Sequence, residues 1–467
     1  MDMISAMFDD HYESFCTWRE AGLKGLTCVH VDAHLDVMSV GFNKESLEGI
    51  AQSKTREELE RFRGNPRLPW GGFHCGNYLF PALKDGTVKE LIWVLPAHII
   101  GGETFVDGVR QEVQNWLDLR LAEYGGLVSE EGAVVGTLEG CRFVVCTADK
   151  LPKLPEDAQV ALDIDVDYFI RNTDDAIWQT PHQLFEALGP LNPVAVTVAY
   201  SVDGGYTPLK ERFLGRVTLD VFSGDPMAWK DETERLLELD RQNDKDGWES
   251  FLEEAPEWLK PSLLLRLGRV EEASALDSEY TPRFQNAVAR KLVKKEHEAG
   301  LELMEDLDEE TAESLYLRTY LSLGENDALE AKRSLTKLLE EHELRELERS
   351  RVLILKANAC LELGEGNAAL KLVDEALKIE PESAELHFLR ANCLKQFGDL
   401  KKAAKAMRKA LKLAKGRVSS LQMMLDAARL YDQLGQQALA SSVRRELKDS
   451  DVTGRYAIKT ILDASKL

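Results

Sequence analysis

Two stretches decide how this chain folds: LTCVHVDAHLD (26–36) and VALDIDVD (160–167). Each opens as an unbroken apolar run rich in β-branched residues and closes on aspartates. A strand apolar on both faces belongs in a sheet covered on both sides, the usual setting of parallel strands between helices. LIWVLP (91–96), FVVCTA (143–148) and VAVTVAYS (194–201) have the same character, and helical patterns at 45–62 and 104–124 alternate with them. The reading predicts an α/β fold with a three-layer parallel sheet, whose functional groups gather on loops at the carboxyl ends of the strands.

The 467 residues carry 58 Lys and Arg against 81 Asp and Glu, a net charge of −23. So acidic a chain is not expected to bind nucleic acid. No run of about 18 uncharged apolar residues is present to span a bilayer. The opening MDMISAMFDDHYES lacks a basic region followed by an apolar one, so a cytoplasmic location with no membrane contact is expected. Seven scattered cysteines, with no CxxC, predict reduced thiols rather than a disulfide framework or a zinc ribbon.

The acid excess is uneven. Residues 1–225 hold 19 basic and 35 acidic side chains, and residues 226–467 hold 39 and 46. No proline lies between Pro282 and Pro381, as expected of a run of helices. Within it Ala357, Gly364 and Ala376 recur 34 residues later as Ala391, Gly398 and Ala410, which is the tetratricopeptide period. Weaker copies stand at 319–339 and 427–447. The division is therefore a sheet domain at 1–225, a helical linker with degenerate repeats at 226–315 that includes 261–276, and a tetratricopeptide solenoid at 316–467. Such a solenoid serves equally as a structural or dimerising scaffold and as a groove for an extended peptide. The basic residues Lys401, Lys402, Lys405, Arg408, Lys409, Lys412 and Lys415 suit a solvated helix face or an acidic peptide.

Three carboxylates at alternate positions on a buried strand are costly unless cations neutralise them. Asp163, Asp165 and Asp167 form one such set, and Asp32, His34 and Asp36 supply a second at the end of another strand. Asp9-Asp10-His11-Tyr12-Glu13 adds an imidazole upstream. Oxygen donors with one or two imidazoles suit a hard-to-borderline ion such as Mn²⁺, and the absence of thiolates argues against structural zinc. Asp167 fits a helix N-cap and His30 a packed histidine behind the site.

These residues resemble the arginase and agmatinase ureohydrolases, in which an upstream His, a D-x-H-x-D motif and a later D-x-D motif hold two Mn²⁺ ions. The resemblance implies that His11, Asp32, Asp36 and Asp163 hold one ion and Asp32, His34, Asp163 and Asp165 the other. It is closer still to the divergent family that includes peptide arginases. The landmarks are Asp10 to Glu13, His30 to Asp36, Asn77-Tyr78-Leu79-Phe80-Pro81-Ala82, Trp93-Val94-Leu95-Pro96 and Ser201-Val202-Asp203-Gly204-Gly205-Tyr206-Thr207-Pro208. It spans about residues 5–215 and implies hydrolysis of a peptide's arginine side chain to ornithine and urea. The loop 37–43 lacks the Ser-Gly-Asn character that grips free arginine, which favours an arginine within a peptide.

For proton transfer His74, in a glycine-rich loop that begins at Trp70 and Gly71, is the first candidate and His98 the second; a structural role fits both equally. Asp203 stands where those enzymes place a guanidinium-binding Glu, and it also suits a turn cap before Gly204-Gly205. The rival enzyme is a one-zinc deacetylase of the related fold, in which a residue placed like Tyr206 polarises the acyl carbonyl. The third reading is a repeat adaptor without activity. The substrate peptide, its leader and the oligomeric state, including a homo-oligomer, stay open.

Overall fold

In the computed structural model, which describes residues 3–39, 41–63, 72–100, 104–305 and 311–451, the first half of the chain forms an eight-stranded sheet. Its strands are β1 (Ile4–Phe8), β2 (Leu26–Val31), β3 (Val88–Val94), β4 (Val128–Glu130), β5 (Ala133–Leu138), β6 (Cys141–Cys146), β7 (Val160–Asp165) and β10 (Pro193–Ala199). A separate ribbon pairs β8 (Ile170–Arg171) with β9 (Ala176–Ile177). The order is β1-β10-β7-β2-β3-β6-β5-β4, parallel from β1 to β6 and antiparallel across β5 and β4. All five anticipated strands are present. The sheet is mixed rather than wholly parallel because β4 and β5 follow each other through a tight turn, which only antiparallel strands permit.

Alternation along each strand separates two cores. Leu26, Cys28, Leu91, Trp93, Phe143 and Val145 face one layer, which also holds Phe15 and Trp18 of α1 (Glu13–Glu20) and Val109 and Val113 of α2 (Phe105–Trp116). Val29, Val31, Ile92, Val94, Val144 and Cys146 face the other, with Leu184, Leu214, Val217 and Leu236. From β2 the chain runs outward through β3 and β6, then returns to β7 on the opposite side. The ends of β2 and β7 are thus neighbours where the winding reverses, the place where such sheets bind ligands.

The second half is helical: α3 (Phe284–Val293), α4 (His297–Glu305), α5 (Ala312–Gly324), α6 (Ala328–Glu341), α7 (Glu346–Glu362), α8 (Gly366–Ile379), α9 (Ala384–Gln396), α10 (Leu400–Leu413), α11 (Ser419–Gln433) and α12 (Gln437–Ser450). Stacked hairpins begin at Phe284, ahead of the expected start at 316. The segment 261–276 is a further hairpin of helices Lys260–Arg266 and Val270–Leu276. Among the described residues no helix is long and apolar enough to cross a membrane. All seven cysteines are free.

The solenoid is fixed to the sheet domain at both ends. At the far end Val418, Leu421, Met424, Leu425 and Leu447 belong to the same buried cluster as Leu117, Leu119 and Val109. Ser419 donates through N and Oγ to the Asp118 carboxylate at 2.9 and 2.6 Å, and the Val418 N–H donates to the Leu119 carbonyl at 2.9 Å. A chain truncated after residue 415 is expected to lose on the order of 10 kcal/mol, because burying each of these five apolar side chains is worth about 1.5–3 kcal/mol. Dye binding to newly exposed apolar surface would check this, and an unchanged melting temperature would refute it.

The linker is anchored by Arg266, 1% exposed at its side chain, which donates to Asp240 and Glu211 and to the Lys210 and Ser262 carbonyls. Arg266→Ala leaves buried Glu211 with only the longer contact to Lys210 at 3.6 Å, and a loss of about 3 kcal/mol is expected in a denaturant titration.

Candidate metal centre

The centre is assembled from loops leaving β1, β2, β7 and β10, which end on one edge of the sheet because these strands run parallel. β1 leads into Asp9 and His11. The Asp9 carboxylate accepts from the Val202 and Asp203 N–H groups at 3.3 and 3.1 Å, tying the β1 loop to the β10 loop. β2 leads into Asp32, whose carbonyl accepts from the Trp93 indole at 2.9 Å and whose Oδ1 accepts from the His34 N–H at 2.7 Å. Asp36 adopts φ +54°, a left-handed turn that folds the motif back on itself.

At the heart of the cage, His11 Nδ1 lies 3.2 Å from Asp32 Oδ2, 3.3 Å from Asp36 Oδ2 and 3.3 Å from Asp165 Oδ2. Beside it, His34 Nδ1 lies 2.8 Å from Asp167 Oδ2 and 3.4 Å from Asp32 Oδ1. Asp32 therefore offers one oxygen to each group. His11 Nδ1, Asp32 Oδ2 and Asp167 Oδ2 are buried without a hydrogen-bond partner. Among the described residues the donor atoms fall within 4.8 Å of one another in four triads: His11 with Asp32 and Asp165, Asp32 with His34 and Asp167, His30 with Asp32 and Asp36, and His11 with His30 and Asp163. Buried oxygens and imidazole nitrogens left unpaired at this spacing fit divalent ions.

Asp163 is placed differently. The register of β7 on β2 sets Asp163 beside His30, two residues short of the level of Asp32. Its Oδ1 accepts from Ser14 at 2.5 Å and Thr197 at 2.6 Å, and its Oδ2 accepts from the Tyr78 hydroxyl. His30 Nδ1 at 3.2 Å and His11 Nε2 at 3.1 Å also face Oδ2. Asp163 also belongs to a triad of possible metal donors with His11 and His30, so its oxygens serve these hydrogen bonds and face the same imidazoles an ion would use. Its Oδ2 stands behind the far nitrogen of His11, where a group supporting an imidazole ligand would sit. Asp165 lies closer to Asp32: its Oδ1 accepts from the Asp167 N–H at 2.9 Å and its Oδ2 from the Ser201 hydroxyl. Asp167, read from the sequence as a helix cap, points into the cage.

The charges explain why the cage calls for cations. Burial and then Asp32 push Asp36 up to about 6, and burial with Asp165 and Asp32 pushes Asp167 up to about 8. Burial disfavours charge on His11, yet Asp163 and the carboxylates around it hold its pKa well above the ordinary value. Asp167 does the same to His34 against the effect of burial.

The remaining expected residues separate. His74 accepts the Gly76 N–H at Nδ1, 3.1 Å, and caps the short turn Cys75–Asn77, a structural task for one of its two nitrogens. Trp70 and Gly71 lie outside the described residues. His98 is exposed and packs edge-on to Trp178 at 5.3 Å; among the described residues no ion pair joins it to the cage. Asp203 does not face the cage: it accepts from Arg283 at 2.9 and 3.0 Å and from Asn286 at 3.2 Å, so its charge is already matched by α3 and the residue before it. Tyr206 does reach the site, its ring 4.5 Å from that of His34, and burial pushes its hydroxyl up to about 12, which keeps it a donor. Arg290 of α3 fixes this turn by donating to the Gly205 and Tyr206 carbonyls at 3.0 and 2.7 Å. Gly205 has φ +77°, and a Cβ there would stand 2.5 Å from the Arg290 nitrogen.

Several supporting residues escaped the sequence reading. Trp116 packs edge-on to His34 at 5.5 Å, and Ser14, Thr197 and Tyr78 saturate Asp163. Of these only Tyr78 stood inside a recognisable motif.

Residues 384–417 match the tetratricopeptide repeat model, so this part of the chain is such a repeat. No curated protein matches the chain. Among solved structures, MamA 41-end from Desulfovibrio magneticus RS-1 is 16% identical, TM-score 0.33, over 37% of this chain and 95% of that one. YrrB, described as a TPR protein with an unusual peptide-binding site, is 17% identical, TM-score 0.29, over 51% and 98%. Pseudomonas aeruginosa pilF is 15% identical, TM-score 0.32, over 48% and 99%.

Proposed function

We propose that this chain is a dinuclear metal hydrolase that converts arginine within a peptide to ornithine and releases urea, with an arginase-like fold in residues 1–225. The observation that carries the reading is the position of His11 Nδ1, with oxygens of Asp32, Asp36 and Asp165 at 3.2–3.3 Å and the His34–Asp167 pair sharing Asp32 on its other side. The landmarks between Asp10 and Pro208 that resemble peptide arginases support it.

In this reading His11, Asp32, Asp36 and Asp165 hold one Mn²⁺ ion and Asp32, His34, Asp165 and Asp167 the other. Such a pair would acidify a water near neutral pH and offset charge developing at the carbon under attack. Asp163 orients His11, and Ser201 orients Asp165. Tyr206, protonated at neutral pH, stands ready to donate to the substrate or the leaving amine. The side chains around the cage keep bulk water out: Asp32 and Asp163 are 1% exposed or less, whereas His34 is 19% exposed at its side chain and marks the open side.

The test is to load the purified chain with Mn²⁺, count ions per chain and incubate it with arginine-containing peptides, among them those encoded beside its gene. Two ions, urea and an ornithine mass are expected. The proximity of Tyr206 to His34 also suits a deacetylase, for which one Zn²⁺ and acetate released from acyl-lysine peptides would be found. A loaded chain that releases neither product would favour an adaptor built on the repeat.

A further inference from the structure

Two of the strand-end loops that build the cage are held from outside by the first hairpin of the solenoid. The β10 loop, Ser201 to Pro208, supports the cage at three points. Ser201 donates to Asp165, the Val202 and Asp203 N–H groups donate to Asp9, and the Tyr206 ring lies against His34. The β7 loop passes from Asp165 and Asp167 into the β8–β9 ribbon, whose turn carries Asn172 and Asp175. Arg290, on α3, reaches both loops. Its Nη1 donates to the Gly205 and Tyr206 carbonyls at 3.0 and 2.7 Å and to Asn172 at 3.0 Å, while Nη2 donates to Asp175. One guanidinium, 13% exposed, thus bridges the loops on which Asp165, Asp167, Ser201 and Tyr206 stand.

The backbone of these loops is held against its own preference. Ser201 and Asp175 adopt φ +51° and +60°, left-handed values uncommon for residues with a Cβ. Such conformations persist where the surrounding structure over-determines them. Gly205 lies directly under α3, where a Cβ would also meet the Ala289 carbonyl carbon at 2.6 Å. Gly204 leaves room for the Tyr206 ring, which would stand 2.9 Å from a Cβ there. Arg283 and Asn286 add a second hold through Asp203.

We propose that Arg290 is a positioning residue, through which the first repeat hairpin sets both loops against the cage, so that metal binding and the seating of the hairpin stabilise each other. The proposal rests on the metal centre of the reading above, and on its hydrolase chemistry only for the part Tyr206 plays. Without the guanidinium, the Gly205 and Tyr206 carbonyls part from α3, Ser201 relaxes from its left-handed turn and Asp165 loses its hydroxyl donor. An effect of the hairpin on the ions must be matched by an equal effect of the ions on the hairpin, because coupling between two binding equilibria is reciprocal.

The experiment uses the full chain, treated with chelator and then titrated with Mn²⁺, as the parent and as Arg290→Gln, Arg290→Lys, Gly205→Ala and Lys294→Gln. Lys294 pairs with Asp175 and Glu296, and among the described residues it donates to neither loop carbonyl, so its variant controls for a general loosening of α3. Arg290→Gln should weaken Mn²⁺ binding about tenfold, the scale of losing support behind a ligand, and Gly205→Ala by a similar factor. Arg290→Lys should recover part of the loss, because an ammonium meets one acceptor but does not fork across both loops. Lys294→Gln should bind as the parent does. In the parent, Mn²⁺ should slow amide hydrogen exchange in α3 by about the same tenfold, a readout that needs no variant and that a purely structural Arg290 would leave unmoved. With an arginine peptide and saturating Mn²⁺, the loss in Arg290→Gln should fall on kcat more than on KM, as expected when Tyr206 is displaced. Parent exchange in α3 that Mn²⁺ does not change, Mn²⁺ binding by Arg290→Gln equal to the parent's, or equal weakening in Lys294→Gln overturns the proposal even where urea is released. Coupling in a chain that releases no urea overturns the hydrolase reading and leaves the positioning role standing; a parent chain that binds no Mn²⁺ overturns both.

Discussion

Asp165→Ala is expected to remove most of the bound divalent metal and to abolish urea release, whereas Asp163→Asn keeps two ions at about 10- to 100-fold weaker affinity, the usual cost of losing support behind a ligand. The contrast follows from the register of β7 on β2. Asp165 stands level with Asp32 and turns an oxygen toward His11 at 3.3 Å, so its loss empties the position common to both ion groups. Asp163 lies beside His30, its oxygens taken by Ser14, Thr197 and Tyr78, and it reaches the cage through the far nitrogen of His11 and through His30, which also faces Asp32. Metal analysis after dialysis against Mn²⁺, with urea measured on the same samples, separates the two. Should Asp163→Asn lose its metal while Asp165→Ala keeps it, the ions sit one step deeper along the strand and the ligand set proposed above fails.

That distinction shows where a sequence stops being readable. In the sequence Asp163, Asp165 and Asp167 alternate as if along one strand face, which leaves two neighbouring pairs equally able to act, whereas β7 ends at Asp165 and Asp167 stands in the short turn Val166–Phe169. Only hydrogen-bond register with β2 chooses between them, and register depends on residues 130 positions away. The partners of Asp203 were hidden for a similar reason: Arg283 and Asn286, which donate to it, come about 80 residues later in a segment whose periodicity was too weak to read. His74 is a case where a local signal did exist, since its ring accepts the Gly76 N–H and Asn77 closes the turn on the His74 N–H at 2.9 Å. The five central strands and both acid clusters were legible because burial on two faces leaves an unbroken apolar run. β1 and β4 were not: ISAMF is short and lies at the sheet edge, and VSE is exposed throughout. The hairpin of α3 and α4 also escaped, because its helices are shorter than those of the repeats and lack their recurring small residues.

Buried acids in and beside the cage make the stability of the metal-free chain fall as pH rises from about 4 to 8, Asp36 and Asp9 acting up to about 6 and Asp167 with the histidines beyond it, and metal should reverse this. Asp36 is pushed up to about 6, Asp167 to about 8 and Asp9 to about 6, in each case by burial first and then by a neighbouring carboxylate. A carboxyl whose folded pKa exceeds its unfolded value near 4 contributes stability that is complete below pH 4 and lost as pH climbs through the folded value. His11 and His34, held high by the carboxylates around them against the effect of burial, act in the same direction above their unfolded value near 6.5. Asp32 and Asp163 are held low, so their contribution is lost only on acidification below about pH 4, outside this window. Each proton the folded chain retains beyond the unfolded one costs about 1.4 kcal/mol per pH unit, or about 2–4 °C in melting temperature for a domain of 150–250 residues. Ions that replace those protons bind the deprotonated ligands, so Mn²⁺ at about a thousand times its dissociation constant adds about 4 kcal/mol per site, and more of it is realised as pH rises. Thermal scans at pH 6, 7 and 8 with chelator should show a decline of several degrees, and the same scans with Mn²⁺ a level or rising trend. A chelated chain that gains stability across that range, or a Mn²⁺ curve that coincides with the chelated one at pH 8, would show that these carboxylates do not face one another across a cation site.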